Sequence, residues 1–184
     1  MSIYRQPYGG TRVLLGTGTV GAGGTWSTTA KPGVRTTYTA QFDGDASYLA
    51  ATSAGRTVQV HAVVGLTQAG FYRTSGAYRL YHYRGRYWTT AKYCPHFTAR
   101  VTPAASGSAV RFTVQQRTSS GAWKTLSSGS IAQSSRGYAY AYWRYRGTGW
   151  IAHLLRVRAT WAGNAADLSR PVAALDTECG SVVR

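Results

Sequence analysis

The chain carries the segment Tyr38-Thr39-Ala40-Gln41-Phe42-Asp43-Gly44-Asp45-Ala46, and 119 positions later it carries Val157-Arg158-Ala159-Thr160-Trp161-Ala162-Gly163-Asn164-Ala165. The two segments align without a gap, and Leu49 then falls on Leu168. Each copy predicts an alternating strand that ends in a large aromatic residue and is followed by a glycine-containing turn. An internal repeat fixes the architecture of a chain. This one predicts two related β units.

The composition agrees with an all-β fold in two domains. Gly, Ser and Thr are abundant, Tyr is the dominant aromatic residue, and helix-forming Glu, Lys and Gln are scarce. Such a composition is typical of strands joined by turns. A length of 184 residues allows one or two domains, and the repeat favours two.

The charge is strongly unbalanced, with 21 Lys and Arg against 5 Asp and Glu and a net charge of +16. Such a charge predicts affinity for polyanions: nucleic acid, anionic lipid surfaces, or cell-wall polymers that carry phosphate or carboxylate groups. The alternative is that Arg, which supplies nearly all of these cations, only keeps the protein of a GC-rich genome soluble. No run approaches the length of a membrane span, and residues 1–30 lack the pattern of a signal peptide.

Alternating residues predict seven strands in the second unit, at the spacing of a β-sandwich. Inward positions such as Phe97, Val110 and Val157 alternate with polar outward ones. The predicted strands are Tyr78 to Arg84, Phe97 to Val101, Val110 to Gln115, Ala122 to Leu126, Gly137 to Tyr145, Leu155 to Trp161, and Val172 to Thr177.

The repeat resembles the immunoglobulin-like and fibronectin type III-like β-sandwich modules of secreted actinobacterial proteins. The resemblance is carried best by Phe42 to Ser53, and Gly24-Thr25-Trp26 and Gly121-Ala122-Trp123-Lys124 fit the same pattern. It covers most of the chain, and the second copy departs from it at Asn164 and Asp167. The resemblance implies two tandem immunoglobulin-like units, residues 1–62 and 63–184, and a secreted or cell-surface location. It implies no activity, because such modules serve as spacers, adhesins and binding domains alike.

The strand order of that family bears on the two cysteines. It implies that the loop before the second strand and the end of the last strand lie at the same pole, so that Cys94 and Cys179 form a disulfide. Such a bridge would stabilise the second unit by about 4 kcal/mol on the chain-entropy model.

The same alignment predicts that the first unit is partial. Tyr4-Arg5-Gln6 matches Val114-Gln115-Gln116, so this unit begins in its third strand and lacks its first two. A sandwich without two strands exposes core and an open sheet edge. Either the chain is a fragment of a longer protein, with an export signal upstream, or a partner segment donates the strands. We favour the fragment.

Two motifs that match known functional sites are better explained as a glycine-rich loop between strands and as a turn. Gly16-Thr17-Gly18-Thr19-Val20-Gly21 matches the dinucleotide fingerprint, but the following residues cannot begin the helix that would receive a pyrophosphate. Asp43 and Asp45 could act as a catalytic or calcium-binding pair. However, their repeat counterparts are Ala162 and Asn164, and Asp exchanges with Asn where a side chain caps a turn.

The sequence predicts neither an enzyme nor a cofactor site. Cys94-Pro95-His96 and the other histidines have none of the spacings of zinc ligands. No Gly-x-Ser-x-Gly elbow is present, and the few acidic residues leave no orienting carboxylate for a Ser-His pair. A catalytic role would therefore belong to a larger secreted enzyme of which these units are C-terminal accessory domains.

The remaining functional signal is the interleaving of basic and aromatic residues, which is densest in Tyr78 to Trp88 and next in Tyr138 to Arg146. In the topology of the resembled family, the third and sixth strands share a sheet, so that outward arginines on both form one positive face. The predicted ligand-binding residues are Arg111, Arg117, Arg156, Arg158, Tyr81, Tyr83, Arg84, Arg86 and Trp88.

Aromatic rings stack on sugars or bases, and arginine binds phosphate or carboxylate in pairs of hydrogen bonds. We therefore expect a non-catalytic binding or spacer module for an anionic polymer such as cell-wall glycan or teichoic acid. The alternatives are non-specific nucleic-acid binding by the same face and adaptable protein binding. The tyrosines of these segments also have a purely structural explanation, because tyrosine is a common strand residue.

Overall fold

A computed structural model describes residues 1–76, 78–81, 95–143 and 153–163, together with the backbone strands Val172–Ala173 and Thr177–Cys179. The fold is all-β, as predicted, and the described residues contain no helix. The chain divides into two compact units, one built on Met1–His61 and the other on Ala62–Ala162 with the two C-terminal strands.

The first unit is a single antiparallel sheet in the order β2-β1-β3-β4, with β5 also paired to β3. Its strands are β1 (Ser2–Pro7), β2 (Val13–Thr17), β3 (Thr36–Phe42), β4 (Ala51–Thr52) and β5 (Arg56–Val58).

The first unit has no buried hydrophobic side chain in residues 1–61, all of which the structure describes. One face of its sheet carries Ile3, Tyr38 and Val58, which line an open hollow of about 290 Å³. The segment around Pro32 covers part of that hollow. A sheet normally buries one face against a second layer, and here this face remains half-exposed.

The described residues of the second unit form ten strands. They are β6 (Val63–Ala69), β7 (Arg73–Ser75), β8 (Tyr78–Leu80), β9 (His96–Thr102), β10 (Ala109–Arg117), β11 (Trp123–Ala132), β12 (Tyr138–Tyr142), β13 (Leu155–Trp161), β14 (Val172–Ala173) and β15 (Thr177–Cys179). One sheet has the order β11-β10-β13-β15-β8-β7, with β14 also paired to β13, and the other has the order β12-β9-β6. All pairs are antiparallel except β15 with β8.

The core of the second unit lies between these two sheets. Strands β9, β10 and β13 bury every second residue, as the sequence alternation predicts. The largest fully buried side chains are Trp161, Tyr81, Phe97, Val101, Val110 and Val157. This period-two pattern is the signature of a strand that shows one face to the core and the other to water.

The structure changes several strand predictions. Strand β6 was not predicted, although Val64 is buried and pairs with Val101 of β9. Strand β11 continues to Ala132, well beyond the predicted end at Leu126. Cys179 lies within β15 rather than after the last strand. Cys94 lies outside the described residues, so the Cys94–Cys179 disulfide remains a prediction.

Both copies of the sequence repeat form a strand that pairs antiparallel with an earlier strand. Strand β3 pairs with β1 in the first unit, and β13 pairs with β10 in the second. Each copy then contains a glycine with positive φ, 89° at Gly44 and 83° at Gly163. That region of φ is accessible to glycine at little cost.

The alignment proposed for β1 is wrong by one residue. Val114 lies across from Val157, whereas the repeat partner of Val157, Tyr38, lies across from Arg5 rather than from Tyr4. A slip of one position exchanges the two faces of a strand, so an alignment based on β1 alone assigns its residues to the wrong faces.

Candidate functional site: an arginine face on the larger sheet

Strands β11, β10 and β13 lie side by side in the second unit and bring four predicted arginines to one sheet surface. Arg111 and Arg117 belong to β10, and Arg156 and Arg158 belong to β13. Their neighbours in sequence, such as Val110, Phe112 and Val157, point into the core. Because strand residues alternate between faces, the arginines lie on the opposite surface. We call Arg111, Arg117, Arg156 and Arg158, together with Trp123, the arginine face.

Arg156 is held at the centre of this face by two neighbouring strands. Its Nε donates a 2.8 Å hydrogen bond to Oε1 of Gln115, which lies directly across the β10–β13 register. Its guanidinium carbon lies 4.3 Å from the centroid of the Trp123 ring on β11. A guanidinium stacked on an aromatic face gains a cation–π interaction, and both contacts limit the orientations that Arg156 can adopt.

Further contacts link the strands along the same surface. Nε2 of Gln115 donates a 3.1 Å hydrogen bond to the Thr125 hydroxyl, and Arg111 donates a 2.8 Å hydrogen bond to the Ser128 hydroxyl. Arg158 lies across from Thr113 in the register. The cations therefore alternate along this surface with hydroxyl and amide side chains.

The electrostatics of this face are dominated by positive charge. The chain has no Asp or Glu from residue 46 to residue 166, which includes all of β10, β11 and β13. The only acidic residue in the strands of this sheet is Glu178 of β15, whose backbone lies opposite Arg156 in the register. Four arginines with so few counter-charges attract anions to this surface.

The arginine face offers guanidinium groups that can bind anions. Guanidinium groups bind phosphate or carboxylate with paired, charge-assisted hydrogen bonds. Arg156 and Arg158 are two residues apart on one strand, so their backbones are separated by about 6.7 Å. The face thus presents a row of cations along one strand.

The other predicted ligand-binding residues do not join the arginine face in the described structure. Tyr81 is the one that the structure contradicts, because its side chain is only 2% exposed and packs in the core with an edge-to-face contact to Phe71. A ring so completely buried cannot contact a ligand. The remaining four, Tyr83, Arg84, Arg86 and Trp88, lie outside the described residues.

Two residues of the site were missed in the sequence-based assignment. Trp123 was assigned to a family-like turn and strand, and Gln115 to a predicted strand, but neither was assigned to the site. The alternation along β10 could have identified Gln115, because it lies two residues before Arg117 and therefore faces the same side of the sheet. The register between β10 and β11 shifts at a bulge between Val114 and Gln115. Counting alternate residues along β11 would therefore not have shown that Trp123 lies on the arginine face.

The alternative motifs of the first unit are turns. Asp45 Oδ1 accepts 2.8 Å hydrogen bonds from the backbone N–H groups of Ser47 and Tyr48, so its carboxylate caps a turn as predicted. Asp43 Oδ1 accepts a hydrogen bond from the Gln41 side chain. The glycine-rich motif is followed by irregular chain, and the Trp26 indole packs against Gly18 so closely that a Cβ there would overlap it.

The described residues contain no group of three or more His, Cys, Asp or Glu side chains placed to hold a metal ion. Within the same part of the chain, no helix has the length and apolar character needed to cross a bilayer. Comparison of the chain with protein-family models, with curated proteins and with solved structures found no match.

Proposed function

We propose that this chain is a non-catalytic binding module that attaches to an anionic polymer through the arginine face. The observation that carries the proposal is the position of Arg156, oriented by Gln115 and Trp123 in a surface that also contains Arg111, Arg117 and Arg158. An arginine already held by its neighbours loses less side-chain entropy when it binds.

The polymer that fits this surface best carries phosphate or carboxylate groups at regular intervals. Teichoic acid and anionic cell-wall glycans have this chemistry. We further propose that the module acts in a secreted or cell-surface protein, either as a spacer with binding capacity or as the accessory part of a larger enzyme. In each case the arginine face would hold the protein on the polymer and perform no reaction itself.

We also propose that the second unit is an immunoglobulin-like sandwich and that the first is a partial copy of it. Two strand orders support this proposal. The order β11-β10-β13-β15 pairs the third strand of the predicted set with the sixth, and the order β12-β9-β6 pairs the second with the fifth. The order β2-β1-β3 in the first unit supports the repeat, because it follows the order β11-β10-β13 in the second.

The binding proposal is tested by affinity chromatography of the full chain on immobilised poly(glycerol phosphate). The test variant is Arg156→Ala combined with Arg158→Ala. The matched control is Arg73→Ala combined with Arg136→Ala, which removes the same charge from two exposed residues, one on strand β7 and one in the turn before β12. We expect the test variant to elute at clearly lower salt than both the control and the original protein. Equal elution of the two variants would show that net charge, and not this face, governs binding.

A titration with salt distinguishes the polymer from nucleic acid. For DNA binding through phosphate contacts, log K falls linearly with the logarithm of the salt concentration. The slope is about −0.9 for each contact. We expect poly(glycerol phosphate) to bind more tightly than double-stranded DNA of equal phosphate concentration at the same moderate salt. Tighter binding to DNA across the titration would favour the nucleic-acid alternative.

A further inference from the structure

The second sheet of the same unit carries a separate aromatic surface, away from the arginine face across the core. Strand β12 places Tyr138, Tyr140 and Tyr142 outward and the small residues Ala139 and Ala141 toward the core. The register with β9 then aligns Tyr138 with Arg100, Tyr140 with Thr98, and Tyr142 with His96. We call these six outward residues the tyrosine face.

Strand β12 exposes its large aromatic residues and buries its small ones, which is the opposite of the usual arrangement. The exposed fraction is 54% for Tyr140 and 57% for Tyr142, whereas Ala139 is 1% exposed. Burying a large aromatic side chain stabilises a fold far more than burying alanine. A strand that buries alanine and exposes tyrosine therefore contributes less to stability than the opposite orientation would. A row of exposed aromatic rings marks a site of interaction.

The rings have an ordered arrangement. The Tyr138 and Tyr140 rings are stacked, with centroids 6.1 Å apart and planes 14° from parallel. The guanidinium carbon of Arg100 lies 5.4 Å from the Tyr138 centroid, and the Tyr142 ring is tilted against the His96 ring at 5.9 Å. These contacts support the rings before any ligand arrives, which lowers the entropy cost of binding.

The strand on the far side of β9 carries small residues beside the tyrosine face. Strand β6 lies next to β9 and sets Gly65 opposite Arg100, Thr67 opposite Thr98, and Ala69 opposite His96. Strand β6 therefore carries small residues at these three positions, and Thr98 is the small residue between Arg100 and His96 on β9. A chain-like ligand that lies along β12 can contact the rings on one side and the hydroxyl groups of Thr98 and Thr67 below.

Charge distinguishes the ligand of this surface from that of the arginine face. Among the six described residues that define the tyrosine face, Arg100 is the only Lys or Arg, and it is already stacked on Tyr138. Single-stranded nucleic acid needs aromatic platforms together with a positively charged groove that follows its phosphates. A neutral sugar ring needs no such groove, because its C–H face packs on an aromatic ring and its hydroxyl groups pair with polar side chains.

We propose that the tyrosine face binds a neutral polysaccharide chain that lies along β12 with its sugar rings on Tyr140 and Tyr142. The inference is independent of the function proposed for the arginine face, because it rests on the other sheet and on a different interaction. Together the two faces would give one sandwich two binding surfaces, one sensitive to salt and one insensitive to it.

The test is retention of the full chain on insoluble cellulose and on chitin in 1 M NaCl. At that concentration the screening length is about 3 Å, so binding by the arginine face is suppressed. We expect the original protein to be retained on at least one of the two glycans. The variant Tyr140→Ala with Tyr142→Ala should lose at least tenfold in affinity, whereas Tyr140→Phe with Tyr142→Phe should keep most of it because the rings remain.

Controls separate loss of the site from loss of the fold. The Arg156→Ala with Arg158→Ala variant should bind the glycan as well as the original protein does in 1 M NaCl. Thermal unfolding of both tyrosine variants checks that the sandwich is intact. No retention of the original protein on either glycan would overturn the proposal, as would equal retention of the folded Ala variant. Binding to poly(dT) that depends on the tyrosines and exceeds glycan binding would also overturn it, in favour of nucleic acid.

Discussion

Trp161 Nε1 donates a 2.8 Å hydrogen bond to Oγ of Ser108, which joins the largest buried side chain to the loop before β10. The Ser108 hydroxyl also accepts a 2.9 Å hydrogen bond from the Gln133 side chain and donates one of 2.7 Å to the Ala105 carbonyl. One serine thus satisfies two donors in the core of the second unit. Buried donors without partners are costly.

Ser108→Ala should therefore lower the free energy of unfolding by about 2 kcal/mol, because it leaves the Trp161 and Gln133 donors without this acceptor. Chemical denaturation followed by tryptophan fluorescence measures the change. Ser106→Ala, at an exposed position in the same loop, is the control and should change the stability by less than about 0.5 kcal/mol. Equal effects of the two substitutions would show that the Ser108 hydroxyl is not important.

Gly137→Ala should destabilise the second unit by about 3 kcal/mol, because backbone strain and steric overlap combine. Gly137 has φ 79°, and a Cβ there would overlap the Val101 carbonyl oxygen. The control is Gly107→Ala, where φ is 78° but a Cβ would meet nothing within 4 Å. That variant should lose only about 1 kcal/mol. Thermal denaturation measures the stability of both variants. Gly107→Ala reports the cost of backbone strain alone, and Gly137→Ala reports strain together with steric overlap.

Gly129→Val should stabilise the second unit by about 1 kcal/mol. Gly129 lines a cavity of about 170 Å³ beside Phe112 and Ile131, and a Cβ there would meet nothing within 4 Å. The control is Ser130→Val, which adds a similar side chain to the outward face of the same strand and should have little effect. A destabilised Gly129→Val protein in urea denaturation would show that the cavity cannot accept the side chain.

Trp123→Ala should weaken binding to poly(glycerol phosphate) about threefold, because Arg156 loses the ring that orients it. Trp123→Phe keeps an aromatic face and should retain most of the affinity. Both variants leave the net charge unchanged, so a difference between them in equilibrium binding reports on orientation and not on charge. Identical affinities would mean that the stacking of Arg156 contributes nothing to recognition.

Asp45→Ala should reduce the hydrogen-exchange protection of the Ser47 and Tyr48 amides about fivefold, because about 1 kcal/mol of turn stabilisation is lost. Asp45→Asn retains an acceptor oxygen and should keep most of the protection. Asp43→Ala, which removes a carboxylate bonded to the Gln41 side chain, is the control. Amide exchange measured by NMR resolves these three cases.

Much of the second unit could be predicted from sequence because three of its strands alternate apolar with polar residues. Phe97 and Val101 on β9, and Val110 and Val114 on β10, could face only the core. That parity also placed Arg111 and Arg158 on the outer surface. Strand β6 escaped prediction because its outward residues include Val63, which is 65% exposed, so apolar character did not separate its two faces.

The tyrosine face could not be predicted in the same way. Strand β12 alternates tyrosine with alanine, and both residue types are common on either side of a sheet. Sequence therefore left the direction of Tyr140 undetermined, and the same ambiguity gave a wrong assignment to the buried Tyr81. The packing of Ala139 at 1% exposure settles the direction of the strand, and packing is a property of the folded sheets.

The lack of buried hydrophobic side chains in Met1–His61 has a calorimetric consequence. The heat-capacity increase on unfolding comes from apolar surface that becomes hydrated, and polar surface opposes it. When the chain unfolds in water, the first unit therefore contributes less of this increase per residue than the second, while it still contributes enthalpy from its backbone hydrogen bonds. Per residue, the increment for the whole chain therefore falls below that of an ordinary globular protein.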